Sequence, residues 1–381
     1  MNFELTEEQQ MIRDTVRDFA EREIRPLAKD LDEKAEFSYE LTAKMGELGL
    51  FGMYLPEKYG GQGLDTLSYI IAVEEIARID GSQAATLAAH NSLGIGPLYY
   101  YGSEEQKMKY LPPLCTGKAL WGFGLTEPNA GSDSRGTKTT AKLEGNEWVI
   151  DGSKIFITNG SADISIGSSV QALSGEENGK KIFTTILVEK GTPGFKTVSM
   201  HGKMMWRASD TAELYFDNCR VPKENLLGEI GQGSKIMLST LDNGRLSIAA
   251  MGLGLAQGAF ELARQYGNER KQFGKTINSF QVNAFKLADM ALKIELARNL
   301  LYKACWLKDA GKPFGKESAM AKLYCSEIAK EVADEAVQIH GGYGLMKDYE
   351  IERHYRDQRL LQIGEGTSEI QRLVISRYVN S

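Results

Sequence analysis

Cysteine and histidine are scarce in this sequence, which holds four of each in 381 residues. The cysteines are Cys115, Cys219, Cys305 and Cys325, and the histidines are His90, His201, His340 and His354. They show neither C-x-x-C nor H-E-x-x-H spacing, so we expect no metal site and no disulfide framework. The isolated thiols indicate a reducing compartment, and no G-x-S-x-G element supports hydrolysis by a nucleophilic serine.

Positive charge is also limited, since the formal net charge is −6 and the isoelectric point is near 5.5. Without a Lys/Arg block or a basic helix face, nucleic acid is not an expected partner. No apolar run approaches the ~20 residues that a transmembrane helix needs, so we expect no membrane span. The first residues, MNFELTEEQQ, resemble neither a signal peptide nor a transit peptide, which favours a bacterial cytoplasmic protein over a mitochondrial matrix protein.

What is present divides into three predicted domains. Residues 1–120 show helical apolar spacing and begin with a capping-box pair, Thr6 and Gln9. Residues 121–230 contain short β-branched and aromatic segments separated by Gly, Asn, Asp and Pro, which is typical of a small antiparallel β-barrel or sandwich. Residues 231–381 return to long helical patterns, which pack most simply as a four-helix bundle.

The order of these domains determines the predicted fold class. A doubly wound nucleotide-binding fold alternates strands and helices, whereas here one block of strands separates two blocks of helices. We therefore predict a mainly α fold with a central β-domain, an N-terminal helical domain and a C-terminal four-helix bundle.

Two patterns stand out in the C-terminal helices. An apolar stripe runs along a helix of roughly 30 residues, about 45 Å long. Its residues are Phe285, Ala288, Leu292, Leu296 and Leu300. The stretch GLGLAQG, residues 252–258, resembles a dinucleotide fingerprint, but no strand precedes it. We interpret its small residues as a close contact between helices.

A single carboxylate, Glu365, lies between Gly364 and Gly366 in the stretch IGEGTSEIQR. Spacing alone favours a turn between two helices, because glycine ends helices and Thr-Ser-Glu begins them. The alternative is a working site, in which the glycines let a ligand approach the carboxylate closely. The residues by themselves leave both interpretations open.

Five motifs along the chain carry a family resemblance. They are FGLTEPNAGSD (123–133), KIFITNG (154–160), ERKQFGK (269–275), QIHGGYG (338–344) and RDQRLLQIGEGTSEIQR (356–372). Together they resemble the acyl-CoA dehydrogenase family over essentially the whole chain, and helix–β–helix is also that family's architecture. The resemblance implies an FAD-dependent enzyme of fatty acid β-oxidation that converts an acyl-CoA thioester to the trans-2-enoyl-CoA.

The resemblance also implies a catalytic role for Glu365. In the family a base removes a proton from Cα while a hydride leaves Cβ for flavin N5, and Glu365 matches the position of that base. In relatives the N–H of this glutamate and an FAD hydroxyl bind the thioester carbonyl oxygen, which stabilises the developing charge. Some relatives carry the base instead on a bundle helix, where this sequence has Gly244.

Further site residues follow from the same match. Substrate contacts would come from Ser132, Asp242, Arg245 and Gly366. Cofactor contacts would come from Phe123, Leu125, Thr126, Ser132, Phe156, Ile157, Thr158, Arg270, Gln272, Phe273, Gln281, Gln338, Gly341, Gly342, Thr367 and Glu369. Some of these contacts cross between subunits in relatives, so the resemblance implies a homotetramer, a dimer of dimers. Read without the resemblance, Arg245 and Asp242 form a helix-surface ion pair, and HGGYG is a helix C-cap.

Two positions depart from the common family pattern. Gly364 stands where many members have Tyr, which removes an aromatic wall near the thioester. Phe156 stands where many have Trp, and either aromatic can shield the flavin ring. The stretch AAHNSLGIGPL resembles the butyryl/short-chain subgroup, which favours a short-chain acyl-CoA as substrate. Electron-transfer flavoprotein is the electron acceptor that the resemblance implies.

Several alternatives use the same fold. An acyl-CoA oxidase would pass electrons to O₂, a reductase would run the reaction in reverse, and other dehydrogenases act on branched or cyclic acyl groups. A catalytically silent helical interaction protein would have lost the base or the flavin-facing Thr126 and Thr158, which are present here. Such a protein would stay colourless when excess FAD is added.

Overall fold

The computed structural model describes residues 4–380; residues 1–3 and 381, which the predicted terminal domains include, lie outside the described part. The chain begins with seven helices: α1 Glu7–Phe19, α2 Arg25–Lys34, α3 Tyr39–Glu47, α4 Thr66–Ala77, α5 Gly81–Ala89, α6 Gly96–Tyr101 and α7 Glu104–Cys115. The predicted capping box forms at α1, because the N–H of Gln9 donates to the Thr6 hydroxyl and the Thr6 N–H donates to the Gln9 side chain.

An eight-stranded sheet follows these helices. Its strands are β1 Leu120–Gly124, β2 Thr140–Glu144, β3 Glu147–Thr158, β4 Ser165–Glu177, β5 Lys180–Glu189, β6 Phe195–Ser199, β7 Thr211–Pro222 and β8 Leu226–Leu227. Their order is β6-β7-β3-β2-β4-β5-β8, and β1 pairs beside β4.

Two strand pairings in the predicted antiparallel β-domain are parallel instead. Strands β1 and β4 pair in parallel, and β2 meets β4 in parallel at the pair Thr140 and Leu173. Short hairpins force neighbouring strands to run antiparallel, but the chain between β1 and β4 is long enough to return in the same direction. The sheet is therefore mixed.

The C-terminal part is helical, as predicted. Its elements are α8 Gly233–Glu269, the hairpin β9 Lys271–Gln272 with β10 Lys275–Thr276, α9 Gln281–Asp309, α10 Gly315–His340, α11 Ile351–Asp357 and α12 Ser368–Val379. One large hydrophobic core joins α8, α9 and α10 to the helices of the N-terminal part. The fold class is confirmed: helical domain, β-domain and helical bundle.

Helix α8 lies at the centre of this packing. A Cβ added at Gly254 or Gly258 would overlap the carbonyl oxygen of Glu74 or Arg78, and one at Gly252 would crowd the carbonyl of Cys325. The interpretation of GLGLAQG as a close helix contact is therefore confirmed. By length and composition α8 could cross a membrane, contrary to the sequence-based expectation, but 78% of that apolar stretch is buried inside the protein. A core helix passes the same test, so α8 is weak evidence for a membrane span.

Helix α9 presents most of its apolar stripe outward, whereas Leu300 at the end of the stripe packs against the core. Phe285, Leu292 and Leu296 are exposed, whereas Met290 and Ile294 are buried against the other helices. The stripe therefore does not form the core of the bundle within one chain.

Candidate active site

Glu365 lies in the short loop between the 3-10 turn Gln358–Gln362 and helix α12. Thr367 caps α12 by accepting a hydrogen bond from the N–H of Ile370 (3.2 Å), so the loop is also the helix boundary that spacing predicted. Glu365 has φ of +53°, a left-handed conformation that is costly for a residue with a side chain. Such strain persists only where surrounding contacts fix it, which is common at functional sites.

The Glu365 side chain points at helix α8. Its Oε2 atom is shielded from solvent and has no hydrogen-bond partner in the described part of the chain. A Cβ added at Gly244 would overlap Oε2 of Glu365, and it would lie 3.2 Å from Cδ2 of Leu93. The carboxylate thus occupies space that exists because residue 244 has no side chain.

Burial determines the charge properties of this carboxylate. It raises the pKa of Glu365 to about 7, although the positive charges of Lys322 and Arg245 oppose the rise. Burial raises the pKa of Tyr69 as well, and the nearby Glu365 carboxylate adds to that rise. A carboxylate with a pKa near neutrality is a stronger base than an exposed glutamate and is still ionised in part at pH 7.

An apolar cluster extends from Glu365 towards the β-domain. Leu93 lies beside the carboxylate and packs, with Leu241, against Phe123, Leu125 and Met237. Leu93 belongs to a π-helical turn, His90–Ile95, a type of turn that often occurs at functional sites. The cluster provides an apolar path between the carboxylate and strand β1.

The motifs FGLTE and KIFIT meet at the ends of β1 and β3. The N–H of Ile155 donates to the carbonyl of Thr126 (3.0 Å). The buried ammonium of Lys154 donates to the Leu125 carbonyl (3.2 Å) and to Glu127 (2.7 Å). These bonds join two segments that the resemblance places against the flavin ring.

Phe156 projects from this junction. Phe156 is 64% exposed, and its φ of +62° is a strained backbone conformation. The strained backbone therefore holds an aromatic ring at the protein surface. Ile157 instead packs in the core of the β-domain, so only its backbone could contact a cofactor. Thr158 is half-buried, and Ser132 is exposed.

A separate cavity of about 620 Å³ lies at the C-terminal end of α10. Four of the predicted cofactor residues line it: Arg270, Gln272, Gly341 and Gly342. Sequence reasoning missed its other lining residues, Tyr266, Ile277, Ile339, His340, Tyr343 and Met346. Tyr266 stacks on His340 with ring centroids 4.4 Å apart, so the cavity has an aromatic wall. Aromatic residues in and beside the motifs ERKQFGK and QIHGGYG were the sequence signal that could have indicated this wall.

The remaining predicted residues lie elsewhere. Phe273, Gln281 and Gln338 are exposed and do not belong to that cavity's lining. Thr367 and Glu369 open helix α12, with Glu369 exposed. Asp242 forms the ion pair with Arg245 that spacing favours, and Nε of Arg245 is buried without a partner.

Two residues that sequence reasoning missed hold the Glu365 loop. The ammonium of Lys322 donates to the Gly366 carbonyl (2.7 Å). The amide of Gln371 donates to the carbonyls of Glu365 (3.2 Å) and Gly366 (2.9 Å). Lys322 lies on the buried face of α10 with Ser318, Cys325 and Ala329. The sequence signal for Lys322 was a lysine at a position where helical spacing predicts a buried residue.

Almost the whole chain matches the domains of one known protein family. The chain matches the acyl-CoA dehydrogenase N-terminal domain over residues 6–118, the middle domain over 122–219 and the C-terminal domain over 231–379. The chain belongs to the acyl-CoA dehydrogenase family. It is 53% identical to the probable acyl-CoA dehydrogenase YngJ of Bacillus subtilis, over 99% of both chains.

Two solved structures superimpose closely on the chain. Butyryl-CoA dehydrogenase from Megasphaera elsdenii has a TM-score of 0.97 and 44% identity, covering 100% of both chains. A chain in a structure described as the electron transferring flavoprotein of Acidaminococcus fermentans has a TM-score of 0.96 and 47% identity, covering 100% of this chain and 99% of that chain.

Acyl-CoA dehydrogenases are FAD-dependent oxidoreductases, and this chain is one of them. A structure of an acyl-CoA dehydrogenase from Bacillus anthracis is complexed with FAD (TM-score 0.92, 37% identity, covering 99% of this chain and 67% of that chain). The residues present fit FAD, because the cavity offers a guanidinium and an amide for phosphate and an aromatic wall. A Cβ at Gly341 or Gly342 would meet nothing within 4 Å, so the space beside these glycines is open.

Replacement of Arg270 by alanine is expected to weaken FAD binding. A charge-assisted hydrogen bond to phosphate contributes about 1.5–3 kcal/mol, so the dissociation constant should rise about 10- to 100-fold. Flavin absorbance after gel filtration measures the retained FAD. Arg264→Ala removes another exposed arginine of the same helical region and should retain FAD. Equal FAD content in both variants would remove Arg270 from the cofactor site.

Proposed function

We propose that this enzyme oxidises a short-chain acyl-CoA to the trans-2-enoyl-CoA, with Glu365 as the base that removes the α-proton. The observation that carries the proposal is the buried, unpartnered Oε2 of Glu365, which lies against Gly244 at the end of an apolar cluster. A carboxylate without a hydrogen-bond partner is free to accept a proton from a carbon atom. FAD, when bound, accepts the hydride that leaves Cβ.

Other residues of the chain would bind the substrate, stabilise the developing charge and exclude water. Arg245, whose Nε is buried without a partner, and its ion-pair partner Asp242 would contact the CoA moiety, with Ser132 on the pantetheine arm. The N–H of Glu365 would donate to the thioester oxygen as charge develops there. Leu93, Phe123 and the rest of the apolar cluster would exclude water from the carboxylate, which keeps its pKa high.

The short acyl chain is supported by two observations. The apolar cluster beside Glu365 is small, with three buried members and two that are partly buried. The buried Tyr69 is near the carboxylate, and the buried hydroxyls of Ser92 and Ser247 lie beside Tyr69, so polar groups take the place of further apolar surface there. The match to butyryl-CoA dehydrogenase of Megasphaera elsdenii agrees with this assignment.

Electron-transfer flavoprotein is the proposed electron acceptor. The match to a chain in the Acidaminococcus fermentans structure supports it, since that structure is described as an electron transferring flavoprotein. Reoxidation of the reduced enzyme by such a flavoprotein should be much faster than by O₂. Faster reoxidation by O₂ would favour an acyl-CoA oxidase instead.

A homotetramer is the proposed assembly, and the exposed apolar stripe of α9 supports it. Phe285, Leu292 and Leu296 would be costly to leave in water over so long a helix face. Light scattering should give four times the mass of one chain.

We propose a cytoplasmic location and a role in fatty acid oxidation, in line with the bacterial relative, and cell fractionation checks the location.

A panel of acyl-CoA substrates tests the proposed specificity. With an artificial electron acceptor, kcat/KM should be highest for the four-carbon acyl chain and should fall as methylenes are added. Each misfitting methylene costs about 1–3 kcal/mol, so an eight-carbon chain should react at least about 100-fold more slowly. A maximum at eight carbons or more, or with an α-branched chain, would contradict the short-chain assignment.

A further inference from the structure

Lys322 is a fully buried lysine in helix α10, and the steps assigned so far do not use it. Lysine is almost never fully buried unless its charge has a partner, because desolvation of an ammonium is costly. Here the only hydrogen bond of the ammonium among described residues goes to a neutral group, the carbonyl of Gly366 at 2.7 Å. A neutral donor such as glutamine could make that bond, so the bond alone does not explain a charge at this position.

The titratable groups around Glu365, two cations and one neutral phenol, come from three other elements. Lys322 faces it from α10, Arg245 from α8 and the hydroxyl of Tyr69 from α4. Arg245 already forms an ion pair with Asp242. Among the described residues Lys322 forms no ion pair of the kind that joins Arg245 to Asp242, so it is the unpaired cation near Glu365.

Two further carboxylates face Lys322, Glu327 on its own helix and Glu369 on α12. Glu327 accepts a hydrogen bond from the Ser368 hydroxyl (2.6 Å), and Glu369 is exposed. Burial lowers the pKa of Lys322 to about 8, while the Glu365 carboxylate opposes that change. At neutral pH the ammonium is therefore mostly protonated and positively charged.

We propose that Lys322 is a positioning residue for the base: its ammonium holds the Gly366 carbonyl and places a positive charge beside the neighbouring Glu365 carboxylate. The inference rests on the proposed role of Glu365 as the base. Glu365 and Gly366 both have positive φ. Lys322 binds the carbonyl of Gly366, and Gln371 binds the carbonyls of both residues, so these bonds stabilise the left-handed turn. The charge adds a second effect that the bond from Gln371 cannot supply.

The sign of the charge effect follows from the site. Burial raises the pKa of Glu365 to about 7, and the Lys322 charge opposes that rise. Removal of the charge should therefore raise the pKa of Glu365 further. Because only the ionised carboxylate accepts a proton, the acid limb of the proton-transfer rate should move to higher pH.

Proton transfer can be measured without any redox step. In an acyl-CoA whose Cβ is replaced by sulfur there is no β-hydrogen to leave, so the base can only remove and return the α-proton. In D₂O each cycle replaces an α-hydrogen by deuterium, which mass spectrometry detects. The rate against pH should have a midpoint near 7 in the unaltered enzyme.

Three variants distinguish the effect of the Lys322 charge from a general effect on the fold. Lys322→Gln keeps a hydrogen-bond donor without the charge, and its midpoint should rise by about one pH unit, with up to about tenfold slower exchange at low pH. Lys322→Arg keeps the charge and should restore the midpoint. Lys203→Met removes a half-buried lysine that also donates to a backbone carbonyl, that of Ser209, and should leave the midpoint unchanged. Equal midpoints in all three would overturn the proposal.

A reciprocal measurement covers the case in which Lys322→Gln does not fold. In enzyme labelled with ¹⁵N-lysine, the pKa of Lys322 should fall when Glu365→Gln removes the opposing carboxylate charge, and an unchanged pKa would overturn the proposal. Failure of the proposed function looks different. If Glu365→Gln still exchanged the α-proton at the native rate, Glu365 would not be the base, whatever Lys322 does.

Discussion

The Glu365→Gln variant should bind FAD and acyl-CoA normally and yet fail to reduce the flavin. Glutamine has nearly the shape of glutamate, so the loop and its bonds to Lys322 and Gln371 should persist. It cannot accept the α-proton at neutral pH. Loss of a general base costs about 10²- to 10⁴-fold in rate, and here the proton must come from carbon, so the upper end is expected.

Anaerobic bleaching of the flavin on addition of butyryl-CoA measures this effect directly. Glu331→Gln is the matched control, because Glu331 is an exposed glutamate of α10 that pairs with Lys293. That control should bleach at the native rate. Bleaching of Glu365→Gln within tenfold of the native rate would mean that another group removes the proton.

Gly244→Ala is expected to inactivate the enzyme without destabilising it. The new Cβ would overlap Oε2 of Glu365, the far end of a flexible side chain, so the carboxylate must swing away while the backbone stays in place. A shift of about 1 Å at a reacting group costs about 100-fold in rate. Within helix α8, alanine is favoured over glycine by up to about 1 kcal/mol, so the melting temperature should hold or rise.

Steady-state kinetics and a thermal melt of the same sample distinguish these effects. Gly315→Ala is the control: its Cβ would press on the Tyr378 hydroxyl, again the end of a side chain, and it touches neither Gly244 nor Glu365. It should keep its activity. A Gly244→Ala enzyme with native kcat would show that the carboxylate does not act from the position seen here.

The sequence carried the larger features of the fold because they depend on local patterns. Helical spacing predicted α1 and the 29 residues of α9, and β-branched segments predicted most of the strands. The outward direction of the α9 stripe could not be predicted, since the pattern shows that one face is apolar but not what covers it. The parallel pairing of β1 with β4 was missed because it joins strands that are distant in sequence.

The candidate site was predicted only in part for the same reason. The Gly-Glu-Gly stretch located the carboxylate. The motifs located four residues that line the cavity at the C-terminal end of α10. The positive φ of Glu365, its contact with Gly244 and the bond from Lys322 were not predicted. Each depends on tertiary packing, and Lys322 is 44 residues away from the carbonyl that it binds.

The glycines in the middle of α8 hold this helix tightly against its neighbours. Backbone meets backbone there, with Gly254 and Gly258 against carbonyls of Glu74 and Arg78, so α8 cannot slide along these neighbours without a steric clash. On the proposed function, the thioester would lie between Glu365 and the β-domain. We therefore expect any displacement on substrate binding to occur in the Glu365 loop or in the sheet, while α8 keeps its position against Glu74 and Arg78.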